Sequence, residues 1–356
     1  MNARRPDRAT HRLVEMMIHV FSAESADDIW RRLADTLRDS QVDCVRTSRA
    51  GSTIDIGQVV IELTKPRNRW TVSRRPSLNP AFAIAEVVWI ATGRNDAAFV
   101  NYFNRALPRY AGTGSTYDGA YGYRLRRHQG IDQLDRAYHA LRNCGHTRQV
   151  VLQIWDSRVD LPALDGMPCS PDIPCNIVSF LKVHDGHLEW TQVMRSNDAF
   201  RGLPHNLVQF TALQEVMAGW LDLDLGSFNL ITDSMHLYEN DLPVLAYDAS
   251  TVNVVSSDSL CLAKDESDQV FADLAFAIEQ ISGGSLTDQQ LQLLPAVIAL
   301  PHAFANFLII LVSESLRRRG KTHEASDLML TCSNQVLHQL WHNWLKRMDT
   351  NVSRLQ

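Results

Sequence analysis

Strand-like and helix-like segments alternate through the middle of this chain, and that alternation sets the main limit on its fold. Runs rich in β-branched and aromatic residues predict strands at 54–63, 148–156, 176–183, 187–196 and 228–239. Apolar segments of helical length predict helices at 81–93 and 205–223. We therefore expect one α/β or α+β body over residues 50–250, in which a sheet packs against helices.

Both ends of the chain are predicted to be helical. Apolar residues at helical spacing predict an amphipathic helix over 12–39, and the pattern is helical from about residue 266 onward. The most hydrophobic stretch, 293–312, is interrupted by two prolines and two polar residues. We therefore expect a buried helix pair there rather than a membrane span.

Composition limits the partners and the compartment of the protein. The 356 residues are 45% hydrophobic, which suits a substantial core, and the net charge of −5 gives no overall basic surface to attract nucleic acid or anionic lipid. An anionic ligand would therefore need a local arginine cluster. No apolar signal-peptide segment follows the basic N-terminus, and the six cysteines are scattered without a CxxC pair. We expect reduced thiols and a cytoplasmic location.

Cys175 lies between Pro174 and a strand-like run, a position that would hold a nucleophile at the start of a strand. A buried structural thiol is the alternative for any single cysteine. Three later segments carry compatible chemistry. They are MRSND (194–198) to bind a phosphate, GLPHN (202–206) to read a ring edge and MHLYEND (235–241) to bind a sugar hydroxyl.

Each of these residues also has a purely structural interpretation. Arg195 fits a surface ion pair, Asn206 a helix cap and His236 a satisfied core histidine. Glu86 fits a capped or ion-paired helix acid, but as the single acid of the apolar segment 81–93 it would be costly to bury without a purpose. The order and spacing of the segments after Cys175 favour the functional interpretation.

This order resembles that of the thymidylate synthase superfamily, over roughly residues 28–245. The family pattern runs from a Pro-Cys nucleophile, through an Arg-Ser phosphate grip and a Gly-x-Pro-x-Asn turn, to a His-x-Tyr strand. The matching residues here are Pro174, Cys175, Arg195, Ser196 with Asp198, Gly202 to Asn206, His236 and Tyr238. The resemblance implies a three-layer fold with a large mixed sheet flanked by helices, plus a helical C-terminal portion.

Segments upstream of the cysteine fit the same family. AEVVWI resembles the helix that carries the catalytic glutamate, here Glu86, and GAYGYRLR resembles the Tyr-Gly segment, with Tyr121. TRQVVLQIW resembles the strand whose arginine, here Arg148, reaches the phosphate site of the partner subunit, so the resemblance implies a homodimer. SRAGST resembles the mobile phosphate loop, with either Arg46 or Arg49 as the ligand.

Departures from the synthase pattern point to a different product. Asn176 follows the nucleophile where synthases usually have histidine, and Met194 precedes the Arg-Ser pair in place of glutamine. The expected tryptophan pair near the folate is missing, and the last residues do not resemble the short apolar tail that closes over the folate. The chain thus looks more like the branch that hydroxymethylates pyrimidine nucleotides. That branch takes a one-carbon unit from 5,10-methylenetetrahydrofolate and lets water add to the resulting exocyclic methylene.

The resemblance also implies a role for each site residue. Cys175 is the nucleophile, Glu86 organises water and proton transfers, and Tyr121 helps to remove the carbon-5 proton. The nucleotide-binding residues are Arg195, Ser196, Arg148 and a loop arginine (Arg49 or Arg46) for the phosphate, Asp198 and Asn206 for the base, and His236 and Tyr238 for the sugar 3′-hydroxyl. No metal ion is expected.

The side chain at Asn206 favours one base over the other. An amide can donate to the 4-oxo group of uracil and accept from N3–H, whereas a carboxylate would suit cytosine. We therefore expect dUMP as the substrate. Because an amide can rotate and the neighbouring His205 is unusual, dCMP or CMP is the first alternative. A diverged thymidylate synthase that makes dTMP is the second.

The resemblance also suggests how the chain is divided. We expect an N-terminal helix or extension at 1–27, a thymidylate synthase-like catalytic domain at 28–260, and a helical C-terminal extension packed on that domain at 261–356.

Overall fold

The structure, a computed structural model, describes residues 18–40, 45–48, 51–251 and 255–353. Its strands are β1 (His19–Ala23), β2 (Val45–Ser48), β3 (Gly51–Asp55), β4 (Val59–Leu63), β5 (Arg74–Arg75), β6 (Val151–Gln153), β7 (Asn176–His184), β8 (His187–Met194), β9 (Asn197–Asp198), β10 (Asp224–Thr232), β11 (Met235–Tyr238) and β12 (Ala246–Tyr247). Its α-helices are α1 (Ala26–Asp39), α2 (Pro80–Ala91), α3 (Ala97–Asn101), α4 (Pro108–Ala111), α5 (Tyr121–Tyr123), α6 (Gln133–Asn143), α7 (Ser157–Asp160), α8 (Leu203–Leu221), α9 (Lys264–Ser282), α10 (Asp288–Val297), α11 (His302–Arg318), α12 (Thr322–Met329) and α13 (Gln335–Ser353).

A six-stranded mixed sheet lies at the centre of the protein, in the order β1-β4-β10-β8-β7-β6. The pairs β1–β4 and β10–β8 are parallel, and the other neighbours are antiparallel. Helix α8 packs on β8 and β10, and α2 packs on α8. The predicted mixed sheet flanked by helices is therefore confirmed.

The helix predicted over 12–39 is wrong for residues 19–23. This segment is β1, which pairs in parallel with β4 at an edge of the sheet and buries Phe21 while it exposes Val20. Such alternation is the pattern of a strand with one covered face. The helix begins only after Ser25, whose side chain accepts the backbone N–H of Asp28 and caps α1. Residues 12–17 lie outside the described residues.

The strand-like run 228–239 forms two strands in two different sheets. β10 ends at Thr232 inside the main sheet, and β11 begins at Met235 in a second sheet of order β2-β3-β11-β9. In this second sheet β11 is parallel to β9, and the register sets His236 beside Asp198. Two residues of the predicted site thus become neighbours through backbone pairing.

Helices α2 and α8 are buried on almost every side. Glu86 is the one residue of α2 that is not buried, and the residues of α8 that are not buried are His205, Gly219 and Leu221. A helix that is apolar all round must be enclosed by other elements. The sheet and α2 enclose α8, while α9, α11 and α13 cover α2.

The short helix α5 makes a close contact with α2. A Cβ atom on Gly122 would overlap the backbone of Ile90, so only glycine fits at this position. Ile90 lies one helical turn beyond Glu86 on α2. The contact therefore sets Tyr121, the residue before Gly122, against the part of α2 that carries the glutamate.

The C-terminal residues are helical, as predicted. The hydrophobic stretch 293–312 is divided between α10 and α11 at Pro301; α11 is mostly buried, but α10 is largely exposed. No helix in the described part of the chain is long and apolar enough to cross a membrane. A Cβ atom on Gly219 would overlap the backbone at Cys261 and Leu262, so the segment that leads to α9 crosses α8 at close range.

Candidate active site

Cys175 lies immediately before β7, and Arg195 holds the segment around it. The Arg195 backbone N–H donates to the Cys175 carbonyl at 3.0 Å. Its guanidinium donates to the carbonyls of Pro174 at 3.0 Å and Ile173 at 3.2 Å, and one of its nitrogens lies 3.9 Å from the Cys175 sulfur. A guanidinium at this distance stabilises negative charge on the sulfur. Arg195 makes no salt bridge among the described residues, so the surface ion-pair interpretation finds no support.

Glu86 and His205 face each other at the centre of the site. Oε2 of Glu86 and Nδ1 of His205 are 3.2 Å apart, and the two side chains are 16% and 18% exposed. The two atoms do not have hydrogen-bond geometry, and neither has another hydrogen-bond partner in the described chain. The edge of the His205 ring packs against Phe82 at a centroid distance of 5.0 Å. The site therefore contains two buried polar atoms that protein groups leave unsatisfied.

Tyr121 lies near both the cysteine and the glutamate. Burial raises the pKa of the Tyr121 hydroxyl well above its ordinary value of 10.0, and negative charge on Cys175, Asp172 and Glu86 adds to the effect, so the phenol is protonated at neutral pH. The side chain of Asn176 is fully buried beside it, and both of its amide atoms lack a partner with hydrogen-bond geometry. These residues enclose a polar space around the cysteine.

A second cluster lies where β9 and β11 run side by side. Ser196 Oγ is 3.3 Å from Nδ1 of His236, and the rings of His236 and Tyr238 meet edge to face at 5.6 Å. Asp198 accepts the backbone N–H groups of Phe200 and Arg201. Burial raises the pKa of the Asp198 carboxyl above 3.8. The predicted sugar-binding and base-binding residues are thus adjacent.

Asn206 does not cap a helix in this structure. Its Nδ2 donates to Oδ1 of Asn197 at 3.1 Å, and Nδ2 of Asn197 donates in turn to the Met194 sulfur at 3.3 Å. No described residue donates a hydrogen bond to Oδ1 of Asn206. The carbonyl of Asn206 and its second N–H are therefore left for a ligand.

The outer arginines have different positions. Arg49 lies outside the described residues. Arg46 is 68% exposed and lies 3.7 Å from Asp55 on the neighbouring strand. Arg148 is exposed and makes no ion pair within the described chain, so it is available to another molecule.

Sequence reasoning missed several supporting residues. Arg201 forms a two-pronged ion pair with Asp241, contacts the Tyr110 hydroxyl, and lies over the Tyr238 ring at 5.1 Å. Asn197 holds Asn206. Asn197 belongs to the segment MRSND, but its contact with Asn206 depends on the fold. No local pattern indicates Arg201. The described residues contain no group of three or more His, Cys, Asp or Glu side chains arranged to hold a metal ion.

Comparisons with known proteins give the family of this chain and several relatives. The family model described as thymidylate synthase matches residues 45–279. A deoxyuridylate hydroxymethyltransferase of Bacillus phage SP01 is 33% identical over 198 residues, 52% of this chain and 51% of the relative. One of Pseudomonas phage M6 is 33% identical over 184 residues, 51% of each protein. A thymidylate synthase of Clostridium beijerinckii is 26% identical over 162 residues, 45% of this chain and 58% of the relative. The chain spans about half the length of these curated relatives.

Proposed function

The chain belongs to the thymidylate synthase family, and on that premise we propose that it is a pyrimidine nucleotide 5-hydroxymethylase. In this proposal 5,10-methylenetetrahydrofolate supplies a one-carbon unit to carbon 5 of dUMP, and water completes it to 5-hydroxymethyl-dUMP. The observation that carries the proposal is the unsatisfied pair Glu86 and His205 beside Cys175 and Tyr121. The names of the two phage relatives support the choice of reaction.

The chemistry begins at the sulfur. The Cys175 thiolate adds to carbon 6 of the pyrimidine, which makes carbon 5 nucleophilic. The Arg195 guanidinium, 3.9 Å from the sulfur, stabilises the thiolate before the attack. Tyr121 has a phenol that stays protonated, so it acts as a hydrogen-bond donor that positions the base removing the carbon-5 proton.

A wet site is what separates hydroxymethyl transfer from methyl transfer. A synthase must exclude water so that hydride reaches the exocyclic methylene. Here Oε2 of Glu86 and Nδ1 of His205 have no hydrogen-bond partner among the described residues, and such buried atoms are normally satisfied by ordered water or ligand. A bound pyrimidine with a water molecule beside it would satisfy these atoms, and this arrangement supports addition of water rather than hydride to the exocyclic methylene.

The nucleotide would extend from Cys175 toward β11. We propose that Ser196 and Arg195 bind the phosphate together with Arg49 or Arg46, and that His236 and Tyr238 bind the sugar hydroxyl. The 3.3 Å contact between Ser196 and His236 supports a continuous polar surface from phosphate to sugar. Asp198 borders the same surface through its register with His236.

The hydrogen bond from Asn206 to Asn197 supports uracil as the base and dUMP as the nucleotide. With one N–H donated to Asn197, the Asn206 amide keeps its carbonyl for the N3–H of uracil and its second N–H for the 4-oxo group. Rotation of the amide would bring two carbonyl oxygens together unless Asn197 also rotated. We therefore propose uracil as the preferred base, and dCMP or CMP as the alternative that the experiment must exclude.

The assembly and the compartment are also proposals. We propose a homodimer in which Arg148 of one subunit reaches the phosphate site of the other, because this arginine is exposed and forms no ion pair among the described residues. We also propose a cytoplasmic location, and the catalytic domain and C-terminal extension with the boundaries given above.

The decisive experiment identifies the product. The full chain is incubated with 5,10-methylenetetrahydrofolate and, separately, dUMP, dCMP, UMP and CMP, and the nucleotides are weighed by mass spectrometry. We expect the mass of an added hydroxymethyl group on dUMP and release of tetrahydrofolate. Dihydrofolate, seen as a rise in near-ultraviolet absorbance, together with a methylated nucleotide would show hydride transfer and replace the proposal with a synthase.

A further inference from the structure

The contact between His205 and Glu86 differs from the ion pairs of the buried carboxylate Glu215, which form hydrogen bonds to Arg67 and Arg69. Its facing atoms are 3.2 Å apart but not aligned for a hydrogen bond, and neither has another partner in the described chain. A buried polar group without a hydrogen bond loses the bond it had to water and destabilises the site. A third molecule that bonds to both atoms would remove this destabilisation, and a single water molecule has the required donors and acceptors.

The surroundings of His205 restrict what that third molecule can do. The ring meets the Phe82 ring at 66° with centroids 5.0 Å apart, and its Nδ1 lies 3.2 Å from Glu86 and is shielded from solvent. The side chain of the next residue, Asn206, points in a different direction, because adjacent side chains on a helix are about 100° apart. It donates a hydrogen bond to Asn197. The other ionisable groups near Glu86 are Tyr121 and, through Tyr121, Cys175.

We propose that His205 is a catalytic residue that binds, together with Glu86, the water molecule that becomes the new hydroxyl group, and that His205 takes the proton of this water. The inference rests on the proposed function, since it assigns the water step of that reaction. It extends the site to a residue that neither the family match nor the names of the relatives assign.

The step balances without any oxidant or reductant. Before it, the Cys175 sulfur is bonded to carbon 6 and carbon 5 carries an exocyclic methylene. The water oxygen bonds to the methylene carbon, its proton passes to His205, and the methylene π electrons move onto the ring as an enolate at oxygen 4. The enolate then collapses to the 4-oxo group, the double bond between carbons 5 and 6 re-forms, and the bond from carbon 6 to sulfur breaks so that the Cys175 thiolate leaves. The positive imidazolium lies beside the Glu86 carboxylate, and the proton returns to solvent.

The test separates the water step from the steps before it. dUMP with tritium at carbon 5 releases tritium when carbon 5 loses its proton, whereas mass spectrometry counts hydroxymethyl product. The variants are His205→Gln, which keeps a polar side chain but cannot take up a proton, and His205→Phe. The matched control is His187→Gln, because His187 is an exposed histidine at the start of β8.

For both His205 variants we expect tritium release within about three-fold of wild type and a fall in hydroxymethyl product of at least about ten-fold, since general acid–base groups contribute roughly 100-fold or more. The stranded methylene should be captured by added thiol as a thioether. The control should keep both rates.

Two results overturn the inference while leaving the proposed function intact. They are an equal fall of tritium release and product, which indicates a structural role, and an unchanged product rate. A different result, a wild-type protein that makes no hydroxymethyl nucleotide, overturns the proposed function, and the water step with it.

Discussion

Two residues of helix α8, His205 and Glu215, differ in how their buried polar atoms are paired. In the first turn, Nδ1 of His205 has no hydrogen bond among the described residues and faces the unpartnered Oε2 of Glu86. Further along the same helix Glu215 is fully buried, yet Arg67 and Arg69 pair with its two oxygens. Helix α8 thus carries a carboxylate with two arginine partners at Glu215 and, in its first turn, a histidine nitrogen that has no hydrogen bond among the described residues.

This difference distinguishes a carboxylate that holds the fold from one that is available for chemistry. Although burial opposes ionisation, Arg69 and Arg67 hold the pKa of Glu215 below its ordinary value of 4.5. Glu215 is therefore a charged group whose needs are met inside the protein. The facing atoms of Glu86 and His205 have no such hydrogen-bond partners among the described residues.

The largest effect is expected at Cys175. It tests whether the reaction takes place beside the first turn of α8. In Cys175→Ala no sulfur can add to carbon 6, so we expect turnover to fall by roughly 1,000-fold or more while the fold is kept. Activity and a thermal unfolding curve are measured together. Cys169→Ala, at an exposed cysteine, is the control and should keep full activity. Retention of more than a few per cent of activity by Cys175→Ala would remove the nucleophile assignment.

The second prediction sets the two glutamates against each other. Glu86→Gln should lower turnover by about 100-fold or more with little change in stability, because the carboxylate moves protons but holds no protein group. Glu215→Gln should lower the free energy of unfolding by about 3 kcal/mol, because it leaves two arginines without their anion. Kinetics and urea unfolding of both variants are the measurements. If both variants lose activity and stability in parallel, the distinction between a catalytic Glu86 and a structural Glu215 is wrong.

Acid sharpens the same contrast. The folded-state pKa of Glu215 is depressed, so its contribution to stability is present above 4.5, the unfolded-state value, and is lost as pH falls through the lower folded-state value. The stability difference between wild type and Glu215→Gln should therefore be full at pH 7 and shrink on acidification below 4.5. A difference that stays constant would mean that the lost contact is not ionic.

The smallest expected effect concerns the other residue of the first turn, Asn206. In Asn206→Asp a carboxylate replaces the amide, which suits the 4-amino group and N3 of cytosine better than uracil. We expect the ratio of kcat/KM for dCMP over dUMP to rise by roughly ten-fold, or about 1.4 kcal/mol. Asn197→Ala is the companion variant. It removes the hydrogen-bond acceptor of the Asn206 amide, so that this amide can rotate, and it should reduce the preference for dUMP over dCMP. A wild type that already prefers dCMP would show that Asn206 does not read the base alone.

The sequence was most informative where one pattern has one structural solution. The apolar helices and strands β7 and β8 form close to where their patterns indicate, since a long apolar segment with no polar face has to be enclosed. The expectation of one strand over 54–63 is wrong, because this run is divided between β3 in the second sheet and β4 in the main sheet. The N-terminal segment was misread because Val20 and Phe21 fit a helical spacing as well as a strand, and only pairing with β4 decides between the two. Tertiary pairing of this kind leaves no local signal.

The candidate site shows the same limit. The segments around Cys175, Arg195 and His236 were recognisable because family order adds information to each short motif. The bond between Asn206 and Asn197 and the position of Arg201 over Tyr238 depend on how β9, β11 and α8 meet, so they were not foreseen. Sequence patterns named the reacting groups, whereas the groups that orient them came from the fold.

The contact between Gly122 and Ile90 has a mechanical consequence. Two backbones with no side chain between them cannot slide or rotate independently, because interiors are close-packed and resist compression. The backbone of α5 beside Tyr121 is therefore held against the backbone of α2 one turn beyond Glu86, and any side chain at position 122 would force the two helices apart.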